Sequence, residues 1–400
     1  MNRDWGFTWL LALGIAIPNG VANIFLPTIL VSSTIDSDTV FLPVISLQVV
    51  LLLSYSLIHL RYFSMTHKTA AYFSATLLFS TIPAFFCLYP GGYLSYSLLW
   101  FIGPIAMIIF MNLSESSSVN NLEILTNLSL IFFPIYLFDL LVSFLNFGYE
   151  NFASYMFATN GHSFVSFLFC LFLLITPEKW KGKVGLLSVY RIVCISGYFV
   201  GGVLSQGRVA LIAFALSVAI ITGRKIIILS ILILPIAADF VLSNSKFQAV
   251  FEALIALDFD DTIAWSSAFS RLTFWEVFLN IFQSYPIAGA GGLAANIIKY
   301  DFGFPYNVFV DPHNEYIYIL SGFGITGVLF LISALFMVTT GLNSIKKSHT
   351  MKNAMPGNVI LYIVICSLTN ANSAKQNIQL LIIAALSLLI SSYMKKQVSN

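Results

Sequence analysis

Two arginines and a histidine stand at the borders of apolar segments in this chain. Arg208 follows Ser205-Gln206-Gly207 directly before an apolar run. Arg271 opens an amphipathic segment, and His313 comes just before another apolar run. A guanidinium group keeps its charge at any working pH and matches phosphate oxygens with paired donors, while a histidine accepts a proton from a hydroxyl group near neutral pH. In a hydrophobic setting these residue types together predict chemistry on a lipid diphosphate leaving group.

The two residues after His313 are secondary candidates for the same site. Asn314 and Glu315 continue the segment Asp311-Pro-His-Asn-Glu-Tyr316. Glu315 is the rival base, but a helix that begins here turns it about 200° away from His313. We therefore expect Glu315 to face elsewhere or to act as a first-turn carboxylate that the helix dipole favours.

The composition indicates the solvent in which these residues work. Hydrophobic residues make up 58% of the 400 residues and charged residues only 9%, whereas a soluble domain carries roughly a quarter charged residues. A chain this apolar cannot cover itself with polar surface, so it is an integral membrane protein. Its net charge of +2 is too small to suggest a nucleic-acid partner.

Neither metal nor cofactor is expected. The four cysteines lie in apolar runs without a CxxC pair, which is typical of buried small residues. Asp258, Asp260 and Asp261 lack the other ligands of a calcium loop and are read as a solvated stretch.

The hydropathy pattern predicts an all-α polytopic membrane protein with about twelve transmembrane helices, since each span needs about 20 apolar residues. The runs cover residues 7–31, 40–60, 70–88, 93–111, 124–146, 162–176, 185–204, 209–222, 226–243, 314–340, 357–368 and 377–393. We treat residues 1–400 as one integral membrane domain. With both termini cytoplasmic, 13 of the 19 lysines and arginines fall on the cytoplasmic side, as the positive-inside rule requires.

This topology leaves one long loop, residues 244–312, on the outer face. Connections are usually about 4–6 residues long, and far longer ones are commonly functional. The segment after Ser270, the expected N-cap, predicts an amphipathic helix at the membrane surface. Its apolar positions are Leu272, Trp275, Phe278, Leu279 and Phe282. Pro286 and the small-residue run 288–292 are expected to end the helix in a turn.

Charges inside the predicted spans call for partners, because a charge in hydrocarbon is costly. Arg191 either pairs with Asp139 or reaches the inner face. His162 lies at the outer end of a span, where it either lines the site or has an interfacial role.

Three motifs in order resemble the O-antigen ligase and polymerase superfamily. The segment Ser205-Gln-Gly-Arg-Val209 resembles its Ser-Arg-Gly-Ala motif, and Arg271-Leu-Thr-Phe-Trp…Pro286-Ile-Ala-Gly-Ala-Gly resembles its Arg-x-x-x-Trp…His-Pro-x-x-Gly-x-Gly stretch. Pro312-His-Asn-Glu-Tyr…Gly322…Gly327 resembles its Pro-His-Asn segment and the glycines after it. The resemblance covers an O-antigen ligase-like core at about residues 205–330.

The resemblance implies a metal-independent inverting glycosyltransferase of GT-C type in the bacterial inner membrane, working in lipopolysaccharide biosynthesis. Its donor is a glycan on undecaprenyl diphosphate, and the active site and long loop are periplasmic. Carried to this chain, Arg208 and Arg271 bind the diphosphate and His313 is catalytic. The acceptor is the lipid A core for a ligase, or a second lipid-linked O-unit for a polymerase.

Several alternatives stay open. Gln206-Gly207 precedes Arg208, and Tyr285 replaces a frequent histidine, which weakens assignment to one branch. We favour the ligase because its His-Asn motif is best known there. A lipid-linked glycan transporter or flippase is an alternative of another class, but no repeated halves are visible. Singly, Arg208 could be an interfacial anchor, Arg271 could merely cap or solvate the surface helix, and His313 could be a hydrogen-bonded loop residue. Their joint occurrence in family order favours a site.

The charge bias predicts that residues 244–312 are periplasmic. A cysteine placed at Asp260 should react with a membrane-impermeant thiol reagent in intact spheroplasts, whereas a cysteine placed at Lys347 should react only after the membrane is opened. The reverse labelling pattern would rule out this topology.

Overall fold

The computed structural model is helical throughout the residues that it describes, with no strand among them. These residues are 121–148, 157–174, 186–205, 207–222, 266–291, 313–346 and 351–367, with short pieces within 8–12, 74–88 and 378–389. The helices are α1 (Asn121–Phe147), α2 (Ala158–Leu174), α3 (Leu186–Leu204), α4 (Arg208–Thr222), α5 (Ser266–Ser284), α6 (Glu315–Lys346) and α7 (Met351–Ser367).

Three of these helices contain segments long and apolar enough to cross a membrane. They are Glu123–Asn146 in α1, Leu187–Leu204 in α3 and Glu315–Ser333 in α6, of 24, 18 and 19 residues. They coincide with three predicted spans, and the helical membrane fold is therefore confirmed.

Three shorter apolar helices, Gly161–Leu174, Val209–Val218 and Asn358–Ser367, also fall within predicted runs. The runs 40–60, 93–111 and 226–243 lie outside the described residues, and 7–31, 70–88 and 377–393 are described only in part. The count of about twelve spans stays a prediction.

Helix α2 forms the centre of the larger group of helices, where it packs against α1, α3, α4 and α7. Its side chains from Phe164 to Leu173 are all fully buried, as expected of a helix that is apolar on every side. In contrast, α3 leaves apolar side chains such as Leu187, Ile192 and Val200 exposed. An exposed apolar face on a helix of this length fits contact with lipid.

Buried tyrosines tie these helices together. The Tyr198 hydroxyl donates to the Ser129 carbonyl at 2.7 Å, and the Tyr362 hydroxyl donates to the Phe164 carbonyl at 2.9 Å. A buried hydroxyl without a partner is costly, and more so where no water reaches it. Each tyrosine therefore fixes both the spacing and the register of the helix pair that it joins.

Helices α5 and α6 pack against each other, and α6 also contacts α7. The α5 helix was predicted, but its beginning was predicted wrongly. It begins at Ser266, so Ser270 lies inside it and is not the N-cap. Serine is only mildly unfavourable within a helix, so a serine at this position does not prevent α5 from beginning earlier.

Only some of the side chains predicted to form the apolar face of α5 are buried. Phe278 is fully buried together with Ile281 and Val277, while Leu272 is 55% exposed. The buried side chains pack with Ala290 and contact Ile317 of α6. Helix α5 thus uses one apolar face against protein and presents other apolar side chains outward.

Candidate functional site

Helix α6 is broken at Gly324, within the membrane-length segment. Gly324 has φ 62° and ψ −153°, so two helical pieces meet at this residue. In an unbroken helix the N–H groups of Ile325 and Thr326 would donate to carbonyls four residues earlier. Here they donate to the Pro286 carbonyl at 2.8 Å and to the Ile287 carbonyl at 3.2 Å.

The carbonyls released by the break are bonded from the same side. The Ser321 carbonyl accepts from the Ala290 N–H at 2.9 Å, and the Gly322 carbonyl accepts from the Gly291 N–H at 2.8 Å. These are the two carbonyls that Ile325 and Thr326 would otherwise have used. The turn after α5 therefore substitutes for the missing helical hydrogen bonds, and we call residues 285–291 with residues 321–326 the interlock.

Two glycines permit this close approach. A Cβ atom at Gly324 would lie 2.5 Å from the Ile287 carbonyl oxygen, and one at Gly289 would lie 2.5 Å from the Gly322 carbonyl oxygen. Both glycines also have positive φ, which side-chain-bearing residues rarely adopt. The small-residue run was predicted to form a turn, and it does. Its partner, the broken helix, was not predicted.

His313 and Asn314 form the start of α6. His313 has φ 47°, a left-handed conformation that costs a residue with a side chain about 1 kcal/mol. The Asn314 side-chain oxygen accepts from the Tyr316 N–H at 3.0 Å and the Ile317 N–H at 3.2 Å. Asn314 is therefore the N-cap of the helix, and this role explains its place beside His313.

Glu315, the rival base, is the first residue of α6 and is 7% exposed. His313 is half-buried and lies outside the helix. His313 is therefore the more exposed of the two side chains.

The structure brings the helix of Arg271 to His313. Their link is Phe274, whose ring centroid lies 6.4 Å from that of His313. Phe274 is one turn after Arg271 on α5, so the two residues are neighbours on the helix surface. Arg271 is half-buried.

Arg208 belongs to the other group of helices, where it is the first residue of α4. The preceding Gly207 packs so closely on Ser163 of α2 that a Cβ atom would collide with that side chain. The Ser163 hydroxyl is placed to donate to the Gly202 carbonyl at 3.1 Å or to the Gly207 carbonyl at 3.3 Å. The buried helix α2 therefore holds the turn from which Arg208 begins α4.

A buried polar cluster lies beside this turn. The His162 Nε2 and Asp139 Oδ2 atoms are 3.9 Å apart, and both side chains are 0% exposed. Tyr136 stacks on the His162 ring at a centroid distance of 4.8 Å, and its hydroxyl is 2.8 Å from the Ser166 hydroxyl. Sequence reasoning missed this pairing; the only signal was an aspartate inside a predicted span.

This cluster corrects two sequence expectations. Asp139 faces His162, while the Arg191 guanidinium donates to the Leu173 carbonyl near the end of α2. Arg191 therefore does not form the predicted pair with Asp139, and its second predicted option, a reach to the inner face, stays a prediction. His162 is fully buried between Asp139 and Tyr136, so its side chain does not line an open site, and its interfacial role stays a prediction.

The described residues contain no group of three His, Cys, Asp or Glu side chains arranged as metal ligands would be. All four cysteines are buried and none forms a disulfide.

These features define an integral membrane protein whose helices carry polar residues at their starts and in a buried cluster. The family model described as O-antigen ligase matches residues 192–332, about a third of the chain. The matched region contains Arg208, Arg271, the interlock and His313, and the match confirms the resemblance predicted from the motifs. It implies a glycosyltransferase-like membrane enzyme that acts on lipid-linked glycans. No curated protein matches the chain.

Proposed function

We propose that this chain is an O-antigen ligase that transfers O-antigen polysaccharide from undecaprenyl diphosphate to the lipid A core. The observation that carries the proposal is the O-antigen ligase match at residues 192–332, which encloses both arginines and His313. The proposed frame is a GT-C fold of about twelve spans in the bacterial inner membrane. Both termini are cytoplasmic, and residues 244–312 with the ligase-like core at 205–330 supply the periplasmic site.

The proposed reaction is a direct displacement that needs no metal. The acceptor hydroxyl oxygen attacks the anomeric carbon of the donor while His313 takes the hydroxyl proton. The bond from that carbon to the diphosphate oxygen breaks, and the electron pair leaves with undecaprenyl diphosphate. Arg208 and Arg271 stabilise the negative charge that develops on the diphosphate, and one displacement inverts the anomeric configuration.

The geometry supports His313 rather than Glu315 as the base. Glu315 is almost fully buried in the first turn of α6, whereas His313 is half-exposed and lies beside the helix that carries Arg271. A base must reach the hydroxyl that it deprotonates.

Deletion of the gene in the native host tests the proposed function. A ligase defect should leave undecaprenyl-linked O-antigen polymer together with a bare lipid A core on lipopolysaccharide gels. A core that bears a single O-unit would instead identify the alternative, a polymerase that joins lipid-linked O-units. Loss of lipid-linked glycan from the periplasmic face, with no defect in transfer, would identify a flippase.

Replacement of either arginine should slow turnover more than it weakens donor binding. Loss of one preorganised charge-stabilising group typically costs about 100-fold or more in rate. The turnover rates of Arg208→Ala and Arg271→Ala should therefore each be lower by at least about that factor. Lysine should restore only part of the rate because it lacks the paired donors of guanidinium. Transfer rates and donor affinity of the purified variants provide the measurement.

Arg224→Ala is the matched control, since the charge bias assigns Arg224 to the cytoplasmic side. It should transfer glycan normally. Near-normal transfer by both Arg208→Ala and Arg271→Ala at equal protein level would show that these arginines are interfacial anchors.

Removal of the base should abolish transfer and spare donor binding. General-base assistance is worth about 10²–10⁴-fold, so His313→Ala should show no detectable transfer while it still binds the undecaprenyl-diphosphate donor. Glu315→Gln keeps the size of a side chain that is nearly buried, and it should retain partial activity. An active His313→Ala variant beside an inactive Glu315→Gln variant would assign the base to Glu315 instead.

A further inference from the structure

We propose that the interlock is a positioning device that fixes Arg271 relative to His313 for the transfer step. This inference rests on the proposed function. Gly289 and Gly324 are its positioning residues, since they act through the backbone contact between the turn after α5 and the break in α6.

Helix α5 and the first piece of α6 run in the same direction, and the interlock joins them at one end. We call these two helical segments the arms. Helix α5 runs from the region of Arg271 to its end at Ser284, and the turn follows without a gap, with the Gly289 N–H bonded to the Tyr285 carbonyl at 3.1 Å. The first piece of α6 runs from His313 to the break at Gly324. Both arms therefore begin near the proposed chemistry and end at the interlock.

Contacts hold the arms together along their length. Phe274 meets His313 at the beginning, and Phe278 and Ile281 pack in the cluster that Ile317 contacts. The interlock closes the far end with four backbone hydrogen bonds of 2.8–3.2 Å. Hydrogen bonds with this geometry permit less sliding than side-chain packing, so the interlock sets the register of one arm against the other.

The distance from the interlock to Arg271 and His313 is long enough for a small change at the interlock to displace them. Arg271 lies about 20 Å along α5 from the turn, and His313 lies about 15 Å along α6 from the break, at 1.5 Å per helical residue. A tilt of about 3° at the joint moves the far end of such an arm by about 1 Å. A displacement of about 1 Å in a catalytic group can cost about 100-fold in rate.

Neither ion binding nor helix stability accounts for the break at Gly324. Unwound membrane helices can bind ions through their exposed amides and carbonyls, but here the amides of Ile325 and Thr326 and the carbonyls of Ser321 and Gly322 are bonded to the turn. The glycine does not stabilise α6 either, because alanine in an unbroken helix is favoured over glycine by about 1 kcal/mol. The break accommodates the turn.

The test compares Gly324→Ala, Gly289→Ala and the double variant in the full-length protein. Each single variant should lower the turnover number about 100-fold and change the donor KM less than about threefold, because the same residues still bind the donor. Since both substitutions open one joint, the double variant should be no slower than the slower single variant. Multiplied effects in the double variant would show two independent defects and overturn the proposal.

Gly148→Ala is the matched control. Gly148 has the same kind of backbone, with φ 67°, and an added Cβ atom there would meet nothing within 4 Å. It carries the conformational cost without the steric contact, and its turnover should stay normal. A loss of turnover in Gly148→Ala equal to that in the interlock variants would show that general backbone strain causes the defect.

A second measurement reports geometry without substrate. Cysteines introduced together at Phe274 and His313 should be joined by a short water-soluble bifunctional thiol reagent, and the four native cysteines are buried. Adding Gly324→Ala or Gly289→Ala should lower the rate of this cross-linking, because a tilt at the joint changes the separation of the two cysteines by about 1 Å. Cross-linking that persists undiminished in both variants would overturn the proposal, and so would normal turnover in a variant whose cross-linking is lost.

The cross-linking measurement also distinguishes failure of the proposed function from failure of the proposed role of the interlock. If the wild-type protein transfers no glycan from a lipid diphosphate, the proposed function fails. The cross-linking result would still establish whether the interlock fixes the two arms.

Discussion

A backbone group within a membrane must be hydrogen-bonded by the protein itself, because the bilayer offers no water. The break at Gly324 would leave two amides and two carbonyls without helical partners. The turn after α5 supplies partners for all four. The carbonyls of Pro286 and Ile287 accept from the two amides, and the N–H groups of Ala290 and Gly291 donate to the two carbonyls. The chain can therefore interrupt a membrane-length helix and tie a loop to it without leaving any of these four backbone groups unbonded. The placement of His313 relative to α5 depends on these hydrogen bonds.

The larger group of helices meets the same constraint with side chains. Helix α2 is buried along its length and carries polar residues that hydrocarbon would penalise. His162 faces Asp139, and Ser163 contacts the turn before Arg208. These polar groups are tolerated because partners on α1, α3 and the turn surround them. Their arrangement makes the start of α4 a consequence of how three helices pack, so Arg208 is positioned by buried structure even though it stands at a helix end.

Sequence reasoning succeeded where the signal was local. Apolar runs predicted α1, α3 and α6 as spans, and helical spacing predicted α5, because composition and periodicity are properties of one segment. It failed where the answer depended on distant segments. The break at Gly324 is set by a turn more than thirty residues earlier, and the partner of Asp139 lies on another helix. Ser270 was mistaken for an N-cap because a serine before an apolar helical pattern is equally compatible with a helix interior, and α5 begins at Ser266.

The proposed site divides between the two groups of helices. We propose that the interlock holds Arg271 relative to His313, whereas α2 holds the turn before Arg208. Between the two groups of described helices, α6 packs against α7. If both arginines bind one diphosphate, that ligand contacts both groups of helices. A small shift of one group relative to the other then changes the affinity for the diphosphate. The proposed base and one of the proposed diphosphate-binding arginines, by contrast, belong to the two segments that the interlock joins. The geometry of proton removal at His313 is then set within one group, while the tightness with which the leaving diphosphate is held depends on how the two groups pack.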